Sequence, residues 1–314
     1  MEILYKYTKF FDLETISSGT IRLSPPETLN DPFEHEINSE VEEELINTAL
    51  AFDLEIFKDS SFTPELIRTI KLNFINGDLS SYGIVSLSET PRNLLMWAHY
   101  ADEHKGVCIG YKKNLFIDLE NKKETELAIE QYYPIKVNYD SIRPQKLKKG
   151  AAKNEILKKQ ITSQLLTKSN DWIYEKEHRC IIPMLWADEI KLLNGIQERL
   201  TDNRNKILFN LKLHKQIAEN NKGNLYDCGN KISGISTLVK IFGNNKDVMF
   251  IKNINPSSIA SIHLGCRFSE DKANEIISEI SSPKHPLNHV EIYKYQIDKK
   301  RFELKEKQIH PKVL

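Results

Sequence analysis

The first 24 residues constrain the fold more than any other stretch of this chain. Ile3-Leu4-Tyr5-Lys6-Tyr7 reads as a strand. A short helix capped by Asp12 and stopped by Gly19 follows, and Thr20-Ile21-Arg22-Leu23-Ser24 forms a second strand before the Pro25-Pro26 break. Apolar residues at helical spacing then mark residues 39–58, with Val41, Leu45 and Ala49 on one stripe, and residues 64–76, with Leu66, Ile70 and Phe74 on another. These two helices are expected to cover one face of a sheet. Further strands are predicted at Ile84-Val85-Ser86-Leu87, Val107-Cys108-Ile109-Gly110-Tyr111 and Ile135-Lys136-Val137-Asn138-Tyr139.

Later in the chain, the basic stretch Lys146 to Lys159 reads as a solvated helix face, continued by an apolar stripe of Leu157, Ile161 and Leu165. Residues 187–255 are polar, rich in Asn and Lys and weakly periodic. They are read as an insertion in, or elaboration of, a core formed by residues 1–186 and 256–314, with Gly229 to Gly243 expected to line a cleft. Order returns with a strand at Ile259 to Leu264, a helix bearing Ala273, Ile276, Ile277 and Ile280, and paired strands at Val290 to Ile297 and Phe302 to Leu304. The expected fold is a single α+β domain with a central mixed sheet, open to being split, and helices on its faces.

Composition narrows the function classes. With 44 basic and 44 acidic residues the formal net charge is zero, so the molecule as a whole lacks the positive field of a sequence-independent nucleic-acid binder. Cys108, Cys180, Cys228 and Cys266 are far apart and show no paired metal spacing. No segment has the apolar run of a membrane span or a signal peptide. These features predict reduced thiols and a cytoplasmic protein without membrane partners.

Several constellations carry chemistry-bearing groups. Asn30-Asp31-Pro32-Phe33-Glu34 holds an amide and two carboxylates on a loop constrained by proline, either as an Asx-type turn or as a substrate-positioning loop. Read as a strand, Glu175-Lys176-Glu177 points both carboxylates to one face, with Arg179 in the same row and Trp172 opposite. Ser86 and Ser88 likewise share a strand face. Leu94-Leu95-Met96-Trp97-Ala98-His99-Tyr100-Ala101 packs an indole, an imidazole and a phenol into about one helical turn, as core or as the wall of a site. His99 and His104 are five residues apart, which does not put both on one helix face, so no metal site is assigned to them. The sequence has no Gly-x-Ser-x-Gly elbow, no glycine-lysine phosphate loop and no His-Glu-x-x-His zinc motif.

Taken in order, Leu4 to Tyr7, Asn30 to Glu34, Met96 to Ala101, Gly106 to Tyr111, Trp172-x-Tyr-Glu-x-Glu-x-Arg179 and Leu264-Gly265-Cys266-Arg267 resemble a widespread bacterial family of unknown function. The resemblance runs over nearly the whole chain outside 187–255. A second resemblance is to the ADP-ribosyltransferases. Their pattern places a basic residue on the first strand, Ser-x-Ser on a middle strand and Glu-x-Glu near the end of a split mixed sheet around NAD. Lys6, Ser86 with Ser88, and Glu175 with Glu177 follow that order, with Lys6 standing where arginine or histidine is usual. That resemblance implies NAD as substrate and a protein or nucleic acid as acceptor, in a toxin or anti-phage effector. It also implies Glu177 as the stabiliser of an oxocarbenium charge, with Trp97 or Tyr100 stacked on nicotinamide.

The site expected on this reading comprises Glu177, Glu175 and His99 as catalytic groups and Tyr5, Lys6, Asn30, Asp31, Glu34, Ser86, Ser88, Trp97, Tyr100 and Arg179 as ligand contacts. Two alternatives stay open. One is a metal-dependent nuclease or phosphodiesterase that gathers Asp31, Glu34, Glu175 and Glu177 with His99. The other is a non-catalytic ligand-sensing or partner-binding module in which Trp97, His99 and Tyr100 line a pocket.

Overall fold

In a computed structural model, the described residues are 2–50, 63–121, 131–147, 153–193, 201–219, 225–227, 232–243, 245 and 247–310. They begin with β1 (Ile3–Thr8), α1 (Leu13–Ser17) and β2 (Thr20–Leu23), as the opening of the sequence predicts. Asp12 caps α1 by accepting from the Thr15 amide at 2.6 Å, and Gly19 turns the chain out at φ +66°. A Cβ at Gly19 would lie 2.4 Å from the Ile254 carbonyl oxygen, so both conformation and space require glycine. α2 (Ser39–Leu50) and α3 (Pro64–Leu79) follow, then β3 (Tyr82–Ser88), α4 (Leu94–Tyr100), β4 (Val107–Lys112), β5 (Gln131–Lys136) and β6 (Asn138–Asp140). Next come α5 (Lys153–Leu165), β7 (Thr167–Ser169), β8 (Glu177–Pro183) and β9 (Glu189–Leu192). The later elements are α6 (Asp202–Leu213), β10 (Ala218–Glu219), β11 (Leu225–Asp227), α7 (Ile232–Phe242), β12 (Val248–Asn253), β13 (Ile259–Leu264), α8 (Glu270–Ile280), β14 (Glu291–Ile297) and β15 (Leu304–His310).

The fold is α+β around a mixed eight-stranded sheet in the order β15-β14-β13-β4-β1-β3-β8-β5, in which β13 and β14 run parallel and the other neighbours antiparallel. A five-stranded sheet, β10-β11-β9-β12-β2, lies beside it, and β6 pairs with β7. Antiparallel partners share a face. The registers Leu4↔Tyr111, Lys6↔Ile109, Val85↔Cys180 and Leu87↔His178 therefore define one side, and Tyr5↔Ser88, Tyr5↔Gly110, Ser86↔Arg179 and Ser88↔Glu177 the other. Apart from Lys6 and His178, the first side is apolar. Its Leu4, Val85, Leu87, Ile109 and Cys180 join Ile190, Leu192 and Phe250 of the second sheet, and Ile276 and Ile280 of α8, in one core. Each such aliphatic side chain, fully buried, stabilises the fold by about 1.5–3 kcal/mol.

The second side carries the polar residues between two smaller clusters. At one end Tyr82, Ile84 and Ile181 pack with Leu79, Ile161 and Leu165, and at the other Tyr7 and Cys108 pack with Trp97, Ala101 and Tyr295. β1 and β3 are joined through the single register pair Tyr5↔Ser88, while the lower part of β3 is bridged by Ser24↔Ile84 instead. The sheet therefore parts beside Ser86 and Leu87. On the same side Ser261 Oγ lies 3.0 Å from His263 Nε2, and the His263 ring stacks on Tyr293 with centroids 4.8 Å apart.

Two expectations need correction. The stripe Leu66, Ile70, Phe74 is exposed, and α3 turns Lys71, Ile75 and Leu79 inward, because Ile75 packs on Val41, Leu45 and Ile46 of α2. Periodicity identified the helix, but the partner set its inward face. The strand expected over 135–139 is split at Val137: its amide still bonds the Glu177 carbonyl of β8 at 2.9 Å, but from Asn138 the chain turns to pair with β7 instead. Within 187–255, the described residues supply β9 to β12 and two helices, and all four strands join β2 in the second sheet. α7 buries Ile235, Leu238 and Phe242 in the core, away from the cavity beside Ser86. Residues 51–58 of the first predicted helix, Cys228 and part of the Lys146–Lys159 stretch lie outside the described residues.

Candidate functional site

Where the sheet parts, a cavity of about 200 Å³ opens. Tyr5 and Lys6 of β1 line it, together with Ser86 and Ser88 of β3, Asn30 and Glu34 of the loop after β2, Tyr100 of α4, and Lys168, Glu175, Glu177 and Arg179. Ten of the thirteen side chains expected at the site thus line one cleft. Each reaches it by a traceable route. Ser86 and Ser88 face it by strand alternation, and Glu177 and Arg179 by the same alternation on β8.

Glu175 arrives differently from the expected strand. Residues Asn170–Glu175 form a 3-10 helix, and Lys176 adopts a left-handed conformation at φ 47° before β8 starts at Glu177. The turn still brings the two carboxylates together, because both bond the ammonium of Lys168. Its Nζ lies 2.7 Å from Glu175 Oε2, 3.3 Å from Glu34 Oε1 and 3.4 Å from Glu177 Oε2. Arg179 closes the other side, with Nε 2.8 Å from Glu177 Oε1, one terminal nitrogen 3.0 Å from Glu177 Oε2 and 2.7 Å from Glu34 Oε2, and the other donating to the Leu165 carbonyl at 2.7 Å. Tyr100 donates to Glu175 Oε1 at 2.5 Å and accepts from the Asn30 amide. Ser88 Oγ donates to the Glu175 carbonyl at 2.7 Å.

Burial makes these charges consequential, since a carboxylate out of water needs a cation or a proton. Burial raises the Glu177 pKa, but Arg179 and Lys168, with a hydrogen bond from Ser86, outweigh it and hold the group ionised at about 2. Glu34 moves the other way. Its burial, reinforced by the Glu177 charge, outweighs Arg179 and Lys168 and shifts it upward. Burial lifts the Tyr100 phenol, and the Glu175 carboxylate lifts it further. Lys168 is raised because the three carboxylates outweigh its own desolvation.

Lys6 enters from the opposite face of β1, spanning the gap to donate to the Ser86 carbonyl at 3.3 Å. That carbonyl lies where no β1 residue pairs with it, and the ammonium takes the place of a ladder donor. Burial, with Arg22 adding to it, pulls Lys6 down to about 8.

Three expected residues stand elsewhere. Trp97 is fully buried, donates from Nε1 to the Pro91 carbonyl at 2.8 Å and meets Tyr7 and Tyr295 edge-on, so it is core. Asp31 is buried as the Asx turn of its loop, accepting from the Phe33 amide at 3.0 Å. His99 is exposed on the outer side of α4, with its ring 6.3 Å from that of Tyr100.

Two partners escaped the sequence reading. Lys168 sits in an unremarkable Thr-Lys-Ser run, seven residues before Glu175, and no local pattern announces a buried ammonium. Gln164, on the turn before it, donates to the carbonyls of Phe33 and Glu36 at 2.8 and 3.1 Å and so fixes the Asn30–Glu34 loop over the cleft. The acidic motifs do meet, as a metal site would need. The Lys168 ammonium, however, occupies the point on which the three carboxylates converge, and among the described residues no group of three or more His, Cys, Asp or Glu has the geometry to hold a metal ion.

Among the described residues no helix is long and apolar enough to cross a membrane. No curated protein and no solved structure matches the chain. Residues 96–180, which carry Tyr100, Lys168, Glu175, Glu177 and Arg179, match the model of a family described as "Protein of unknown function (DUF2971)", so over this segment the chain is similar to that family.

Proposed function

We propose that the cleft binds NAD, cleaves the bond between nicotinamide and ribose, and passes the ADP-ribosyl group to water or to a protein or nucleic-acid acceptor. One observation carries this reading. Lys6, the Ser86/Ser88 pair and Glu177 come from three distant parts of the sequence, yet line one cavity from the neighbouring strands β1, β3 and β8 where the sheet parts.

The chemistry suits the charges. As the glycosidic bond breaks, its electron pair leaves with nicotinamide, neutralising the pyridinium, and positive charge develops on the ribose carbon. An ionised Glu177 beside that carbon stabilises it, an effect worth about 10²–10³ in rate for one well-placed group. Lys168 and Arg179 hold the carboxylate in place, and with Glu34 and Glu175 the cluster carries three carboxylates against two fixed cations. Lys6 offers the phosphates an ammonium from the far side of the gap. The incoming nucleophile forms the new bond with its own lone pair and loses its proton to solvent. As an intracellular toxin or anti-phage effector, such an enzyme would act by depleting NAD or by marking its acceptor.

The test is nicotinamide release from NAD, followed by chromatography with and without protein and nucleic-acid acceptors. Release by the wild type is expected, with Glu177→Gln lowering kcat at least 100-fold and Tyr100→Phe serving as a variant that keeps every charge. No release with any acceptor, or full activity in a folded Glu177→Gln protein, overturns the reading.

A further inference from the structure

Beside the cleft, the rings of Tyr100, His99, Tyr174 and Trp172 form a row that starts at the cavity wall with Tyr100 and ends with Trp172 against Lys168. Ring centroids are separated by 6.3 Å from Tyr100 to His99, 6.4 Å from His99 to Tyr174 and 6.1 Å from Tyr174 to Trp172. Tyr100 lines the cavity, His99 is exposed, and Tyr174 and Trp172 are partly exposed on the 3-10 helix 170–175. The Trp172 end of the row is fixed, since the buried Lys168 ammonium lies 4.8 Å from the Trp172 ring centroid, and Asn93 donates to the Tyr174 carbonyl.

The His99–Tyr174 and Tyr174–Trp172 planes are tilted at 45° and 39° rather than stacked. A flat ring held between two others needs about 7 Å between them, twice the ~3.5 Å of van der Waals contact. At 6.4 and 6.1 Å these pairs are in ordinary aromatic contact with no slot of that width between them, so a base would stack from outside, on the exposed His99 and the partly exposed Tyr174 and Trp172. The surroundings fit a nucleotide better than a bare hydrocarbon ring. Arg92, before α4, and Lys176, after the 3-10 helix, are both exposed, and the Glu89 amide bonds the Lys176 carbonyl at 3.1 Å, which brings their two segments together.

We infer that His99, Tyr174 and Trp172 form a stacking ledge for the purine ring of a nucleotide, continuous with the cleft, with the exposed Arg92 and Lys176 on the two adjoining segments. The inference deepens the proposed function and rests on it for the ledge's role in turnover, though not for binding itself. The purine belongs either to the distal half of the dinucleotide or to an unpaired base of a nucleic-acid acceptor.

Binding of AMP, NAD and a short single-stranded oligoadenylate is measured by calorimetry on the full chain, with no turnover required. AMP is expected to bind wild type and to bind Tyr174→Ala about tenfold more weakly. His99→Ala, at an exposed position that leaves the core intact, should give a smaller loss in the same direction. NAD binding with that dependence assigns the purine to the dinucleotide. Tighter binding of the oligonucleotide with that dependence assigns it to the acceptor. No AMP binding, or AMP binding unchanged in both variants, overturns the ledge. Failure of the catalytic reading appears separately, as absent nicotinamide release while AMP still binds.

Discussion

Arg179 grips the Glu177 carboxylate from two residues along the same strand, with Nε at 2.8 Å and a terminal nitrogen at 3.0 Å, and both side chains are essentially out of water. Strand alternation puts them on one face, and the guanidinium fork matches both oxygens. Removing one partner strands the other. Arg179→Met is expected to lower unfolding free energy by about 3–5 kcal/mol, measured by urea denaturation, because Glu34 and Glu177 lose their shared cation. Arg179→Met combined with Glu177→Leu should be less destabilised than Arg179→Met alone, since one buried charge of each sign is then gone.

Acid unfolding should separate the two carboxylates by sign. Glu177 is held at about 2, below the ordinary 4.5, so its contribution is complete above 4.5 and is lost as pH falls through about 2. Glu34 is shifted upward, so its contribution is complete below 4.5 and is lost as pH rises through its folded-state value. Urea midpoints followed against pH should fall toward pH 2 in the wild type and less steeply in Glu177→Gln. Glu34→Gln should remove a decline on the other side, above pH 4.5.

Lys6 gives a third pH signature. Its amine is drawn from 10.5 down to about 8, so between those values the unfolded chain binds the extra proton and stability rises with pH. In Lys6→Met that rise should disappear from urea midpoints taken between pH 8 and 10.

Gly110 is where a methyl group has no room. A Cβ there would lie 2.3 Å from Ser261 Oγ, 3.0 Å from Ile3 Cγ2 and 3.2 Å from Tyr5 Cε1. Gly110→Ala should cost about 1–3 kcal/mol by overpacking, and adding Ser261→Ala should recover part of it, as read from thermal melts of the three variants.

The strands and the first helix were legible because alternation, the Asp12 cap and the Gly19 stop are local signals. Much of the site was legible for a related reason, since Ser86, Ser88, Glu177 and Arg179 sit at period-two spacings that survive into any sheet. The inward face of α3 was not, because Leu66, Ile70 and Phe74 repeat with the same spacing as the buried Lys71, Ile75 and Leu79, and only packing against α2 decides between them. Lys168 was invisible for the opposite reason. An ammonium takes its place from carboxylates supplied by the loop after β2 and by the chain on both sides of Lys176, none of them its sequence neighbours. The left-handed Lys176 likewise gave no warning, and it is what separates Glu175 from the strand that carries Glu177.

The single register pair between β1 and β3 leaves the width of the slot out of the hands of the backbone ladder. Tyr5 and Lys6 ride on one half of the sheet, while Ser86, Ser88, Glu177 and Arg179 ride on the other. What spans the two is a short set of side-chain contacts, Lys6 to the Ser86 carbonyl and Tyr100 to Glu175 among them. A slot gauged this way can be resized by exchanging one or two side chains, with every strand left in register. One scaffold can thereby be refitted to ligands of different bulk through changes too small to disturb its folding.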